Sequence, residues 1–179
     1  FILISLVSLQ ELIDLIPGKA ADFVVQLADE FKLVSKVADQ QFIPIEDELH
    51  MCRIHLRIME YRKDAKFELK TNGLTGNETV PPGIFHTLVE NGITHGYGNK
   101  RIGQFLLSKT QNNGHIEYTF FNDGEINGSP NESSSKGTGL KYVEARLKGA
   151  YKNNWKLESG KTDGGWKVTF GIKKPYLDN

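Results

Sequence analysis

At 179 residues the chain is long enough for one domain, or for one domain with a small helical attachment. Hydrophobic residues at 39% and charged residues at 25% exclude a disordered polar chain, and 22 basic against 22 acidic residues give no net charge to draw it to nucleic acid or an anionic membrane. No apolar run approaches the ~20 residues that span a bilayer, and the single Cys52 excludes an internal disulfide and fits a reducing cytoplasm. The opening FILISLVSLQ begins on Phe1 and lacks the basic flank and cleavage site of a signal peptide, so it reads as a cut through a longer protein.

The first third has helical periodicity. Leu6, Leu9, Ile13 and Ile16 recur at helical spacing until Pro17-Gly18. A second helix is expected from about Ala20 to Ala38, with Phe23, Leu27, Phe31, Val34 and Ala38 on one stripe, and the two form an antiparallel hairpin. A third follows Pro44, with Glu46, Asp47 and Glu48 in a first turn that favours negative charge, and an apolar seam of Leu49, Cys52, Leu56 and Met59. His50 and His55 read as helix-face residues.

From Lys66 the period shortens to two, and Phe67 and Leu69 mark a half-buried strand. Helical spacing returns in PPGIFHTLVENGITHGYG, entered by Pro81-Pro82 and left by Gly96 and Gly98. Strands follow around Ile102–Lys109 and His115–Asn122. The stretch EINGSPNESSSK has Ile126 as its one apolar residue and is expected to be a mobile loop. GTGL then opens a helix with Leu140, Val143 and Leu147 inward, and the chain closes on strands at Trp155–Glu158 and Gly165–Ile172, where Trp166, Val168, Phe170 and Ile172 share a face. A helical lead before mixed helices and mostly antiparallel strands predicts an α+β fold with one sheet and one helical layer.

Three short stretches carry chemistry. Asn91 and His95 lie four apart on a helix and face the same way, with Glu90 beside them. An amide oxygen suits magnesium, and a nearby carboxylate can polarise a hydroxyl, a water or an imidazole; a solvated helix end with a capping histidine has the same residues. Lys136-Gly137-Thr138-Gly139-Leu140 puts glycines before a helix, where backbone N–H groups and the helix dipole favour a phosphate. An ordinary loop-to-helix turn reads the same way, and no Walker A loop occurs in the chain. Phe121-Asn122-Asp123-Gly124 ends a strand, where a polar side chain can read an adenine edge or simply form a turn.

In this order and spacing the three stretches resemble the GHKL (Bergerat) ATPase superfamily, and more fully the LytS/YehU-type sensor histidine kinases. The run Pro81-Pro82 through Thr87-Leu88-Val89-Glu90-Asn91-Gly92-Ile93-Thr94-His95-Gly96 is similar to that family's asparagine box. Gly137-Thr138-Gly139-Leu140 through Arg146-Leu147 to Tyr151 resembles its second glycine box. Ile45 to Leu49 leading to Arg62 looks like the family's acidic start and long helix, and Asp163-Gly164-Gly165 through Pro175 looks like its closing turn and strand. The resemblance spans nearly the whole chain. It implies a Bergerat-type two-layer sandwich over residues 40–179, preceded at 1–39 by a truncated helical segment of dimerisation and phosphoacceptor type.

The resemblance also implies roles by position. Asn91 would coordinate magnesium bridging the ATP phosphates, and Glu90 would act as general base or polariser toward a phosphoacceptor histidine. His95, Gly96 and Lys136 would lie near the phosphates, with Gly137, Thr138, Gly139 and Leu140 forming the phosphate-side turn; Asn122 and Gly124 would face adenine. Arg146 matches a family arginine that is either nucleotide-binding or an anchor for its helix. Phosphoryl transfer asks mainly for positioning and charge neutralisation, which fits this set.

Three positions depart from the family pattern. The adenine-reading Asp falls on Asn122, and Asp123 would reach the same place only through a bulge, since a one-residue slip reverses the side chain. Tyr142 stands where the family has Asn, and Trp166 where it has Thr. Phe1 to Leu6 looks like the piece starting at the Phe of the P-H-F-x-x-N motif, with Ile4 in the Asn position, so the acceptor histidine is expected before residue 1; His50, His55, His86, His95 and His115 do not fit that motif.

The leading expectation is therefore the cytoplasmic ATP-binding region of a membrane-anchored sensor histidine kinase. It would dimerise through its N-terminal helices, pass phosphate to a response-regulator receiver domain, and bind no nucleic acid. Asn122, Ile4 and Tyr142 also fit a degenerate GHKL module that dimerises without turnover. An anti-sigma-factor kinase is a third GHKL alternative, disfavoured by the long helical lead.

Overall fold

A computed structural model describes residues 2–98, 100–112, 114–124 and 137–173. The expected loop around Ile126, Lys136, Phe1 and Pro175 lie outside the described residues.

Helix α1 (Ile2–Leu15) is followed after one residue by α2 (Pro17–Val37). Pro17 opens α2, because a proline lacking its N–H and held at helical φ suits a first helical position; the second helix thus starts earlier than its apolar stripe suggested. The stripe itself is rotated. Ala20, Phe23, Leu27, Glu30 and Val37 are buried, whereas Phe31 is only partly buried, Val34 is 41% exposed and Ala38 is exposed. Phe23 and Leu27 pack on Ile54 and Ile58 of α3 (Ile45–Lys63), joined by Leu9 and Leu12 of α1, and Val37 packs with Ile43 and Met51. Phe23, Leu27 and Phe31 of the predicted stripe therefore cover α3.

Helix α3 is buried on two sides. Its predicted seam of Leu49, Cys52, Leu56 and Met59 enters the main core, while Ile54 and Ile58 face α2. Its end is set by Asp64 in the left-handed conformation, φ 46°, with its N–H on the Glu60 carbonyl. The main core lies between three helices, α3, α4 (Ile84–Gly96) and α5 (Thr138–Tyr151), and one sheet. The five strands β2 (Lys66–Asn72), β4 (Ile102–Asn112), β5 (His115–Asn122), β6 (Trp155–Thr162) and β7 (Gly165–Lys173) run in the order β2-β4-β5-β7-β6. The β2–β4 pair is parallel, its strands joined by a connection long enough to contain α4, and the other three pairs are antiparallel.

A second, two-stranded ladder joins β1 (Ile43–Pro44) to β3 (Thr79–Val80). Two residues are too few to show alternation, so the sequence carries no sign of it. Within the five-stranded sheet, Asn122 pairs with Phe105 on one side and Trp166 on the other. That row lies at the end of β5, beneath α4. Among the described residues no helix is long and apolar enough to cross a membrane.

Candidate nucleotide site

Glu48 sets the position of α4. The helix starts at Gly83, φ 80°, which has no side chain to cap it. Instead Glu48, completely buried on α3, accepts from Gly83 N–H at 2.8 Å, Phe85 N–H at 2.7 Å and His86 N–H at 3.0 Å. Three of the four orphan donors of a helix start lie within this segment. Burial pushes the Glu48 carboxyl up, and those same N–H groups oppose the rise. Glu48 was expected to complement the dipole of its own helix; the structure assigns it to the start of the next one.

With α4 so placed, its successive turns present Leu88, Asn91, Gly92, His95 and Gly96 to a cavity of about 470 Å³. Asn122 and Phe120 of β5, Trp166 and Val168 of β7, and Gly137 to Leu140 at the start of α5 complete the lining. The volume is in the range of small-molecule sites, and the mixture of apolar walls with a few convergent polar groups is characteristic of them. The first turn of α5 contributes backbone to the cavity, as a helix N-terminus does in an anion site.

Glycines permit the close approaches. A Cβ on Gly139 would lie 1.9 Å from Asn91 Nδ2 and 2.3 Å from its Oδ1, so the Asn91 amide rests where a side chain would be. A Cβ on Gly124 would lie 2.7 Å from the Cα of Gly96, so the turn after β5 meets the end of α4 backbone to backbone. Asn122 is 4% exposed and its Oδ1 accepts from Gly124 N–H at 3.2 Å. Its amide nitrogen lies toward Gly92 and its oxygen toward Gly96.

Asp123 is committed elsewhere. Its Oδ1 accepts from the Tyr97 hydroxyl at 2.6 Å and Gln104 N–H at 2.7 Å, and its Oδ2 from Lys100 Nζ at 2.9 Å. Burial raises its carboxyl, but the Gln104 N–H, Lys100 and Tyr97 outweigh it and hold the group below the ordinary aspartate value. There is no bulge that turns Asp123 toward the cavity, because β5 keeps regular pairing through Asn122 on both sides.

Of the residues singled out in sequence, Asn91, His95, Gly96, Asn122, Gly137, Thr138, Gly139 and Leu140 converge on one cavity. Gly124 lies beside it through Gly96. Glu90, one residue along from Asn91, is partly buried and does not line it, and Lys136 lies outside the described residues. Arg146 also stands off: its Nε donates to the Tyr142 hydroxyl at 2.8 Å and its guanidinium covers the Tyr142 ring. Leu88, Gly92, Phe120 and Val168 were not foreseen as lining, and Trp166, noted as a departure from the family pattern, lies there too. Periodicity points to them, since Leu88 and Gly92 share the Asn91–His95 stripe and Phe120 is two residues from Asn122 on a strand.

No family model matches the chain. The sensor histidine kinase/phosphatase LytS of Staphylococcus aureus strain MRSA252 is 25% identical over 188 aligned residues, covering 96% of this chain and 32% of that protein. The chain thus spans about a third of the length of the curated relatives it matches. Among solved structures, the nucleotide-free catalytic domain of histidine kinase ThkA superposes with a TM-score of 0.54 at 14% identity, over 74% of this chain and 95% of that one. The histidine kinase domain of the Erythrobacter litoralis EL346 blue-light activated kinase gives 0.58 at 15%, over 89% and 83%. ThkA in complex with the response regulator TrrA gives 0.54 at 11%, over 90% and 51%. Over 96% of its length this chain is a homologue of the LytS sensor histidine kinases, with the α/β fold of the histidine kinase catalytic domains.

Proposed function

We propose that this chain is the ATP-binding catalytic region of a sensor histidine kinase, with residues 40–179 holding the nucleotide and residues 1–39 contributing to a homodimer. The observation that carries this reading is the convergence of Asn91, His95, Asn122 and the Gly137–Leu140 turn on one cavity, from segments far apart in sequence. The lining fits the group. Leu88, Phe120, Leu140, Trp166 and Val168 offer apolar walls to a flat base, and Asn91, His95 and the start of α5 offer an amide oxygen, an imidazole and backbone N–H groups to a metal-bound polyphosphate.

Bound ATP with magnesium would supply the transferable γ-phosphoryl group. Asn91 would hold the metal through its amide oxygen, and His95, Gly137, Thr138 and Gly139 would position the phosphates; Lys136 and Arg146 are assigned to the phosphate side on resemblance alone. Asn122 accepts from the adenine amino group with Gly124 close by. Glu90, outside the cavity, polarises the acceptor imidazole. The acceptor histidine lies before Phe1 in this reading, and the phosphate passes from it to a receiver-domain aspartate, as the ThkA–TrrA complex suggests by analogy. The region is assigned to the cytoplasmic side of a membrane-anchored sensor.

Titration with a non-hydrolysable ATP analogue, with and without magnesium, tests the reading on the parent chain, Asn91→Asp and Asn91→Ala. Binding that magnesium strengthens in the parent and not in Asn91→Ala supports it; no magnesium-dependent binding at millimolar nucleotide overturns it. One observation favours a second reading, nucleotide binding without turnover. Asn122 stands at the adenine position while the neighbouring carboxylate, Asp123, is held by Tyr97, Gln104 and Lys100. A chain extended upstream that binds ATP but never labels its histidine would select that alternative.

A further inference from the structure

Three ionisable side chains from three helices meet outside the cavity. Glu30 comes from α2, His55 from α3 and His86 from α4. Glu30 Oε1 lies 2.8 Å from His55 Nδ1 and 2.9 Å from His86 Nε2, and one ligand atom of each residue lies within 4.8 Å of the others. The two imidazole rings are 4.9 Å apart between centroids, inclined at 72°. The Glu30 and His55 side chains are 2% exposed and that of His86 is 16%.

The second carboxylate oxygen is the telling atom. Glu30 Oε2 is buried and has no hydrogen-bond partner among the described residues, while Oε1 beside it takes both imidazoles. A buried carboxylate oxygen without a donor has lost its water and gained nothing in return, so it marks a place where a positive ligand would be held. A carboxylate between two imidazoles is a donor set of transition metals, since magnesium and calcium seek oxygen alone.

We propose that Glu30, His55 and His86 form a site for one divalent transition-metal ion, zinc foremost. Tetrahedral zinc with bonds of ~2.0–2.2 Å sets its ligand atoms ~3.3 Å apart. The 2.8 and 2.9 Å contacts therefore open by roughly half an ångström on loading, a side-chain adjustment. On loading, His55 Nδ1 and His86 Nε2 exchange their N–H contacts to Glu30 for bonds to the ion, each ring then carrying its proton on the other nitrogen. Water fills the fourth position on the side of His86, the most exposed of the three. The ion would tie α2 and α3 to α4, five residues before Asn91.

The test is zinc titration of the chelator-dialysed chain, followed by calorimetry and by the ring resonances of its histidines. One ion per chain, a raised melting temperature and zinc-induced shifts confined to His55 and His86 are expected, and cobalt(II) should give the visible bands of a four-coordinate N/O site. Glu30→Gln and His86→Gln should each weaken zinc by more than the roughly 10–100-fold that loss of a supporting group costs. No uptake at micromolar zinc overturns the proposal. So do shifts at the exposed His50, His95 or His115 in place of His55 and His86, a readout on the unaltered chain that needs no variant to fold. Equal binding by the folded Glu30→Gln/His86→Gln double variant overturns it as well.

Discussion

Replacing Gly139 with alanine tests whether the start of α5 and the Asn91 amide form one unit. The new methyl carbon would sit 1.9 Å from Asn91 Nδ2 and 2.3 Å from Oδ1, against an ordinary contact of 3.4 Å or more. Asn91 or the first turn of α5 must therefore move by roughly 1.5 Å, and overpacking of that kind costs about 1–3 kcal/mol. Because the amide is the group proposed to hold magnesium, the loss should appear as about 5- to 150-fold weaker magnesium-dependent nucleotide binding, with little change in magnesium-free binding. Gly137, two residues earlier, supplies the control. Its φ of −58° suits alanine and no described atom lies within 4 Å of its Cβ position, so Gly137→Ala should cost about 0.5–1 kcal/mol of helix stability, the difference between the two residues at an N-cap, without displacing Asn91. Analogue titration by calorimetry of both variants, with circular dichroism to confirm folding, decides the matter. Equal affinity of Gly139→Ala and parent in magnesium would refute the reasoning.

Asn122→Asp should tighten the nucleotide analogue about fivefold, because a charged acceptor is worth ~1 kcal/mol more than a neutral one to the adenine amino group; unchanged or weaker binding would place adenine elsewhere. Glu48→Ala removes the partner of three backbone donors at the start of α4 and should cost on the order of 3 kcal/mol in urea denaturation, while Glu48→Gln, which keeps an acceptor oxygen, should cost less. Burial raises the Glu78 carboxyl, yet Lys109 at 2.7 Å and the Thr75 donors bring it down to about 2, against 4.5 ordinarily. A depressed carboxylate contributes stability above its unfolded value, so that contribution should fade as pH drops from about 4.5 toward 2, and Glu78→Gln should flatten this part of the pH–stability curve. Gly149 is an exposed residue inside α5 with no described atom near its Cβ position, and Gly149→Ala should raise stability by about 0.5–1 kcal/mol.

Much of the fold was legible because the period of apolar residues changes where the elements change. The seam Leu49–Cys52–Leu56–Met59 and the face Val168–Phe170–Ile172 are both buried as read. The cavity residues were legible for a different reason, the fixed spacing of Asn91, His95 and Gly137–Leu140, which composition alone would not distinguish from a helix end and a turn. What escaped the sequence were charges buried by partners remote in the chain. Glu30 was passed over for Phe31 on the α2 stripe, because a carboxylate reads as solvent-facing until the two imidazoles that accept its burial are known. His55 read as a helix-face residue for the same reason and is 1% exposed. Glu48 lies 37 residues from Phe85, so no local pattern links the acid to the helix it caps.

These two buried acids have a common geometric consequence. Glu48 fixes the start of α4 to α3 through Gly83, Phe85 and His86, and Glu30 fixes the same turn to α2 and α3 through the His86 and His55 rings. His86 is thus held by its backbone to one acid and by its ring to the other. A shift of α2 along α3 cannot leave α4 untouched without breaking the Glu30–His86 contact, because Glu30 rides on α2 and His86 on α4. Asn91 follows His86 by five residues on the same helix, about 7.5 Å along its axis. The helical lead therefore reaches the helix that carries Asn91 through a polar contact, which is directional and short-ranged, besides its apolar packing on α3.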